Sequence, residues 1–188
     1  MKERKIMPFD KNFVPALRFA VMSDIHIDDE DCIEEQRFAK ALDDLKNLCS
    51  SDERYSGFDA LVIVGDFASR GSEIQMRKVK KILDAGLPAD VRLIMTMASH
   101  EYMTDGEENA LRRFDEIFGL TPDTHAVING FDFIAVTTTR GCHFDEKKRG
   151  FVSAELEKAA ERDGKKPIFF FQHPHITDTV YGLSLIHI

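Results

Sequence analysis

Side chains that can bind cations or move protons stand where apolar runs stop. Asp24 and His26 follow the run 17–22, Asp66 follows 60–64, His100 follows 91–97 and His173 follows 167–172. Carboxylate and imidazole donors together suit manganese, iron or zinc better than calcium. Histidine is also the side chain that exchanges a proton near neutral pH. No single motif makes the case. An Asp-x-His triplet is expected about once by chance from composition, and the chain carries a second copy, Asp123-Thr124-His125. That copy follows the turn-forming pair Thr121-Pro122 and reads as a solvated loop. Asp24 and His26 end an apolar run instead, and residues two apart in a strand share a face, so both can approach one ion.

The other positions carry their own chemistry. Gly65 permits close backbone approach beside Asp66, whose carboxylate either caps a turn or joins two cations. His100 with acidic Glu101 is either a polar loop or an oriented proton donor. His173-Pro174-His175 sets two imidazoles around a rigid proline, a poor choice for packing alone. His143, next to Cys142, reads as a surface-loop residue.

These residues need a scaffold that gathers strand ends. The runs at 17–22, 60–64, 91–97 and 167–172 predict buried strands; continuous apolar character at 60–64 is the signature of a parallel strand covered on both faces. Phe38, Leu42, Leu45 and Cys49 repeat at helical period and predict a helix near 31–49. Ser72 with Gln75 predicts a capping box for a second helix ending at Gly86 before Pro88, and Thr104 with Glu107 predicts another for a helix ending at Gly119. Asn129-Gly130 predicts a type I′ hairpin turn, and a last helix is expected near 153–163, punctuated by Gly164. Alternating strands and helices with short links imply right-handed parallel crossovers, and ligands then bind outside the carboxyl ends of the strands.

Composition bounds the alternatives. At 188 residues and 43% hydrophobic content, with no apolar run near 18 residues, the chain fits one soluble α/β domain with no membrane association. A formal charge of −8 without a basic patch disfavours nucleic acid as a partner. Cys32, Cys49 and Cys142 lack C-x-x-C spacing, and residues 1–16 form a polar lead-in without an apolar secretory core; both point to a cytoplasmic protein.

The constellation resembles the calcineurin-like metallophosphoesterases, whose pattern is D-x-H, then G-D, then G-N-H-[D/E], then a lone His after a strand, then G-H-x-H. It is matched here by Asp24-Ile25-His26, Gly65-Asp66, Ala98-Ser99-His100-Glu101 and His173, over residues 17–182. The resemblance implies an α/β fold, a β-sandwich of two mixed sheets flanked by helices. It implies two divalent metal ions (Mn, Fe or Zn), with Asp24 and His26 on the first, Asp66 bridging both and His173 on the second. His100 would protonate the leaving group or steady the transition state. The implied reaction is hydrolysis of phosphate mono- or diesters by a two-metal-activated hydroxide. The alternative is a non-catalytic protein-interaction module on the same fold, with a degenerate metal site.

Two departures stand out. Ser99 replaces the family's Asn ligand and Ala98 its Gly, which predicts a weaker second metal unless another group such as His175 fills in. No G-H-x-H follows; His187 lies in residues 183–188, which match the translation of a transposase adapter used for sequencing libraries. The natural chain is therefore expected to continue past Gly182, and His187 is not counted as a ligand.

Overall fold

The computed structural model describes residues 12–138, 144–163 and 165–175. Cys142, His143, Gly164, His187 and the segment 183–188 therefore lie outside the described residues, as do residues 1–11 of the lead-in.

Three parallel strands form the first sheet: β1 (Phe19–Met22), β2 (Ala60–Val64) and β3 (Arg92–Thr96), in the order β1-β2-β3. The register pairs Phe19 with Ala60 and Ala60 with Arg92, so the three carboxyl ends finish at one rim. β2 is buried at all five positions, as a central strand covered on both faces must be. The links are α1 (Ile33–Ser50) and α2 (Glu73–Gly86); α3 (Glu107–Phe118) follows β3. All three helices cover one face, where Phe38, Leu42, Met76, Val79, Leu83 and Phe114 pack with Leu61, Ile63 and Met95.

The second sheet stacks on the other face. β4 (Thr124–Ile128) and β5 (Phe131–Ala135) form the hairpin, with Asn129 at φ 51° and Gly130 at φ 78°, the left-handed pair that a type I′ turn requires. β6 (Ile168–Phe171) joins β5 in parallel after α4 (Glu146–Asp163), so this sheet is mixed. Small side chains of β2 (Ala60, Val62, Val64) meet large ones from the facing sheet (Phe133, Phe169, Phe171). Phe19 inserts edge-on, 5.0 Å from Phe133 and 4.8 Å from Phe169 between ring centroids. Two sheets flanked by helices is the architecture the resemblance implies, except that among the described residues the first sheet is wholly parallel and only the second is mixed. Among the described residues no helix is long and apolar enough to cross a membrane.

Three local expectations need correction or extension. The box at Ser72 and Gln75 forms with both of its bonds, but the one at Thr104 and Glu107 does not. α3 starts at Glu107 after Gly106, and the Thr104 hydroxyl is engaged elsewhere, donating to the Arg70 carbonyl at 2.7 Å. α4 begins at Glu146, seven residues before the expected 153, because the Asp145 carboxylate accepts from the Lys148 N–H at 2.7 Å and caps it there. Asp123-Thr124-His125 is not a solvated loop. Each ring nitrogen of His125 lies 2.6 Å from a carboxylate oxygen, of Asp132 and of Glu155. Asp123 accepts from the Thr137 N–H at 2.8 Å and pairs with Lys148. The triplet fastens α4 to the hairpin.

Candidate metal centre

Because β1 and β2 run parallel, the segments leaving them continue side by side. The N–H groups of Asp24, His26 and Ile27 donate to the carbonyls of Gly65, Asp66 and Phe67 at 3.3, 3.0 and 3.0 Å. Fully buried Ile27 bridges to Ala68 and anchors the pair of segments. β1 stops at Met22, so shared-face geometry is not what aims Asp24 and His26. Both instead adopt left-handed backbone, φ 55° each, and Asp66 does so at φ 50°. Asparagine and aspartate visit this region more readily than other residues, at a cost for L-residues of about 1–2 kcal/mol. Strain of this kind collects at functional sites.

Asp24, Asp66 and His173 each offer one ligand atom, and these atoms lie within 4.8 Å of one another. Asp66 is buried at the centre of this group. Its Oδ2 faces His173 Nε2 at 3.3 Å, and its Oδ1 accepts from the His100 N–H at 3.2 Å. His26 and His100 flank the cluster rather than enter it. His26 Nε2 lies 3.8 Å from Asp24 Oδ1, and the His26 and His100 rings meet edge-on at 4.6 Å. His175 is also outside the three-residue cluster.

The histidines are oriented by backbone carbonyls. His173 Nδ1 donates to Val64 at 2.8 Å, which turns its Nε2 toward Asp66, and His100 Nδ1 donates to Ser69 at 2.7 Å, which leaves its Nε2 unused by that bond. A ring whose far nitrogen is fixed in this way is typical of metal-ligating histidine. Two carboxylates, nearby imidazoles and this outer support fit a divalent cation. The role expected for acidic Glu101 beside His100 needs correction: the Ser69 carbonyl, not Glu101, orients that ring. Glu101 turns inward and is fully buried, accepting from the N–H groups of Asp66, Ala68 and Ala98 at 2.9, 3.0 and 2.8 Å. Its place as the acidic position of the family pattern marks the residue but not this role, since the backbone amides it binds leave no pattern.

The two departures fall at different depths. Ser99 is exposed, whereas Ala98 is buried with its methyl over Gly65; a Cβ on Gly65 would lie 2.6 Å from Ala98 Cβ and 3.1 Å from His173 Cβ. Gly65, at φ 70°, thus gives the close approach expected of it.

Without a cation, the electrostatics of the centre favour a proton on His173. The hydrogen bond with Asp66 pushes His173 up to about 9 against the opposing effect of burial. Burial works to raise Asp66, but His173 and the His100 N–H outweigh it and hold the carboxyl below its ordinary value. Burial pushes Glu101 up to about 7 against the pull of its amides. Since folding raises His173 from an ordinary value near 6.5, the pair's contribution to stability is full below that pH and lost as pH rises through about 9. A cation on His173 must displace this proton. Mn²⁺ affinity is therefore expected to rise about tenfold per pH unit from neutrality toward the His173 value, with close to one proton released. Calorimetry in buffers of different ionisation enthalpy checks this, and a pH-independent affinity would remove His173 from the ligand set.

Compared with known proteins, residues 17–183 match the family model for calcineurin-like phosphoesterase. No curated protein matches the chain.

Proposed function

The chain belongs to the calcineurin-like phosphoesterase family, and on that premise we propose that it hydrolyses phosphate mono- or diesters with divalent cations held by Asp24, His26, Asp66 and His173. The observation that carries this reading is the convergence within 4.8 Å of Asp24 and Asp66, from the ends of parallel β1 and β2, with His173, from the end of β6 in the facing sheet. Two cations, manganese, iron or zinc, are the complement we favour, with Asp66 shared between them. When bound, such ions neutralise phosphoryl oxygens and make water nucleophilic near neutral pH.

The rest falls to the chain's own groups. The His100 N–H fixes the rotation of the Asp66 carboxylate. The Val64 carbonyl fixes the tautomer of His173, leaving Nε2 as its ligand atom. His100 spends its Nδ1–H on Ser69, so its Nε2 is the nitrogen that can hold a proton for the departing oxygen or a charge beside the transition state. Free thiols at Cys32 and Cys49 suit a reducing cytoplasm, and a charge of −8 suits a small phosphate ester better than nucleic acid.

Hydrolysis of p-nitrophenyl phosphate or its bis-ester by the purified protein, dependent on added Mn²⁺, tests the proposal. A second reading, a non-catalytic interaction module with a degenerate site, draws on exposed Ser99 at the position of a family ligand; it expects no metal-dependent turnover. That turnover assay separates the two, and Ser99→Asn tests the second metal position. A carboxamide reaches further than a hydroxyl, and Mn²⁺ binding is expected to tighten about tenfold, about 1.4 kcal/mol. An unchanged affinity would mean that another group already serves there.

A further inference from the structure

Two loops and one turn meet beneath the metal centre, and a single carboxylate holds all three. Glu101 takes the Asp66 and Ala98 amides on Oε2 and the Ala68 amide on Oε1. Those amides belong to the segments leaving β2 and β3, which form no ladder with each other at this point. Asp66 needs such a tie because its backbone is left-handed and its side chain is central to the site. The next residue along the turn from His100 is Glu101 itself, so the group that fixes Asp66 also fixes the residue whose N–H aims the Asp66 carboxylate. Gly71 completes the seat, admitting the Glu101 backbone to a distance that no side chain could share.

We propose that Glu101 is a positioning residue: its carboxylate presets Asp66 and His100 in their metal-binding and proton-handling geometry without touching substrate or cation. This inference rests on the metal-dependent reading for its consequence and on the amide contacts for its mechanism. A carboxylate can accept all three bonds, while a carboxamide of the same shape presents an NH₂ to at least one N–H and leaves that amide unsatisfied.

The experiment compares the intact protein with Glu101→Gln in two measurements. Without metal, amide hydrogen exchange read by NMR should show Asp66, Ala68 and Ala98 protected in the unaltered protein. In the variant their exchange should quicken at least tenfold, while amides of β2 such as Val62 keep theirs. With Mn²⁺ alone as the probe, calorimetry should show affinity falling about 10–100-fold while the fold is retained. A merely structural role would quicken exchange everywhere and leave the Mn²⁺ affinity of the folded fraction unchanged. Unchanged local exchange with an affinity within twofold of the unaltered protein overturns the proposal. So does rapid exchange of the three amides in the unaltered protein, which needs no variant to fold. Absence of Mn²⁺ binding by the unaltered protein would count against the catalytic reading instead, and the exchange measurement would still decide the role of Glu101.

Discussion

Asp66→Asn is expected to abolish metal-dependent phosphate-ester hydrolysis while leaving the fold intact. The substitution is nearly isosteric, and asparagine tolerates the left-handed conformation at this position as well as aspartate does. Its carbonyl oxygen can still accept the His100 N–H. What disappears is the negative charge at the centre of the Asp24, Asp66 and His173 cluster, together with the oxygen that faces His173. Charge stabilisation at metal sites supplies several kcal/mol, so the loss in kcat/KM should reach about 1,000-fold or more. Steady-state kinetics at saturating Mn²⁺, with circular dichroism to confirm folding, make the comparison. Undiminished activity would move the site away from these residues.

Gly71→Ala should have the largest effect on stability. Gly71 is buried at φ 71°, and a Cβ there would lie 2.0 Å from the Glu101 carbonyl oxygen and 2.5 Å from its carbon. These are backbone atoms of a turn held by three amide bonds, so they cannot swing aside as a flexible side chain would. Left-handed strain and overpacking together are expected to cost about 3 kcal/mol or more. Urea denaturation should show a lower midpoint at an unchanged slope, with weakened Mn²⁺ binding in the fraction that folds. A loss below about 0.5 kcal/mol, within the range of ordinary surface substitutions, would mean that the loop and the turn do not pack as described.

Much of the architecture was legible because it rests on strong local signals. The continuous run at 60–64, the box at Ser72 and Gln75, the stop at Gly119 and the Asn129-Gly130 turn each need only a few neighbouring residues, and each forms. The approach of Asp24 to Asp66 was legible for a topological reason, since the parallel strands β1 and β2 end on one side; His173 reaches them from β6 of the other sheet, a placement that rule does not cover. What escaped was set by contacts distant in sequence. Glu101 reads as a polar neighbour of His100, yet two of its three amide partners, Asp66 and Ala68, lie 35 and 33 residues away. Two triplets of identical spacing diverge because one ends in a strained loop beside β2 and the other opens a strand under α4. The second expected capping box failed because Arg70 had already engaged the threonine. The early start of α4 was marked by Asp145, whose cap was there to be read.

Three of the four non-glycine residues with positive φ among the described residues are Asp24, His26 and Asp66. That distribution shapes how the protein can be improved. Replacing any of them by glycine would relieve backbone strain, so a screen that rewards heat tolerance alone should enrich substitutions at the very positions the chemistry needs. On the proposed reading, survivors of such a screen would be sturdier and inert. A stabilisation campaign for this protein should therefore hold positions 24, 26 and 66 fixed and seek its gains in the helices and the hairpin.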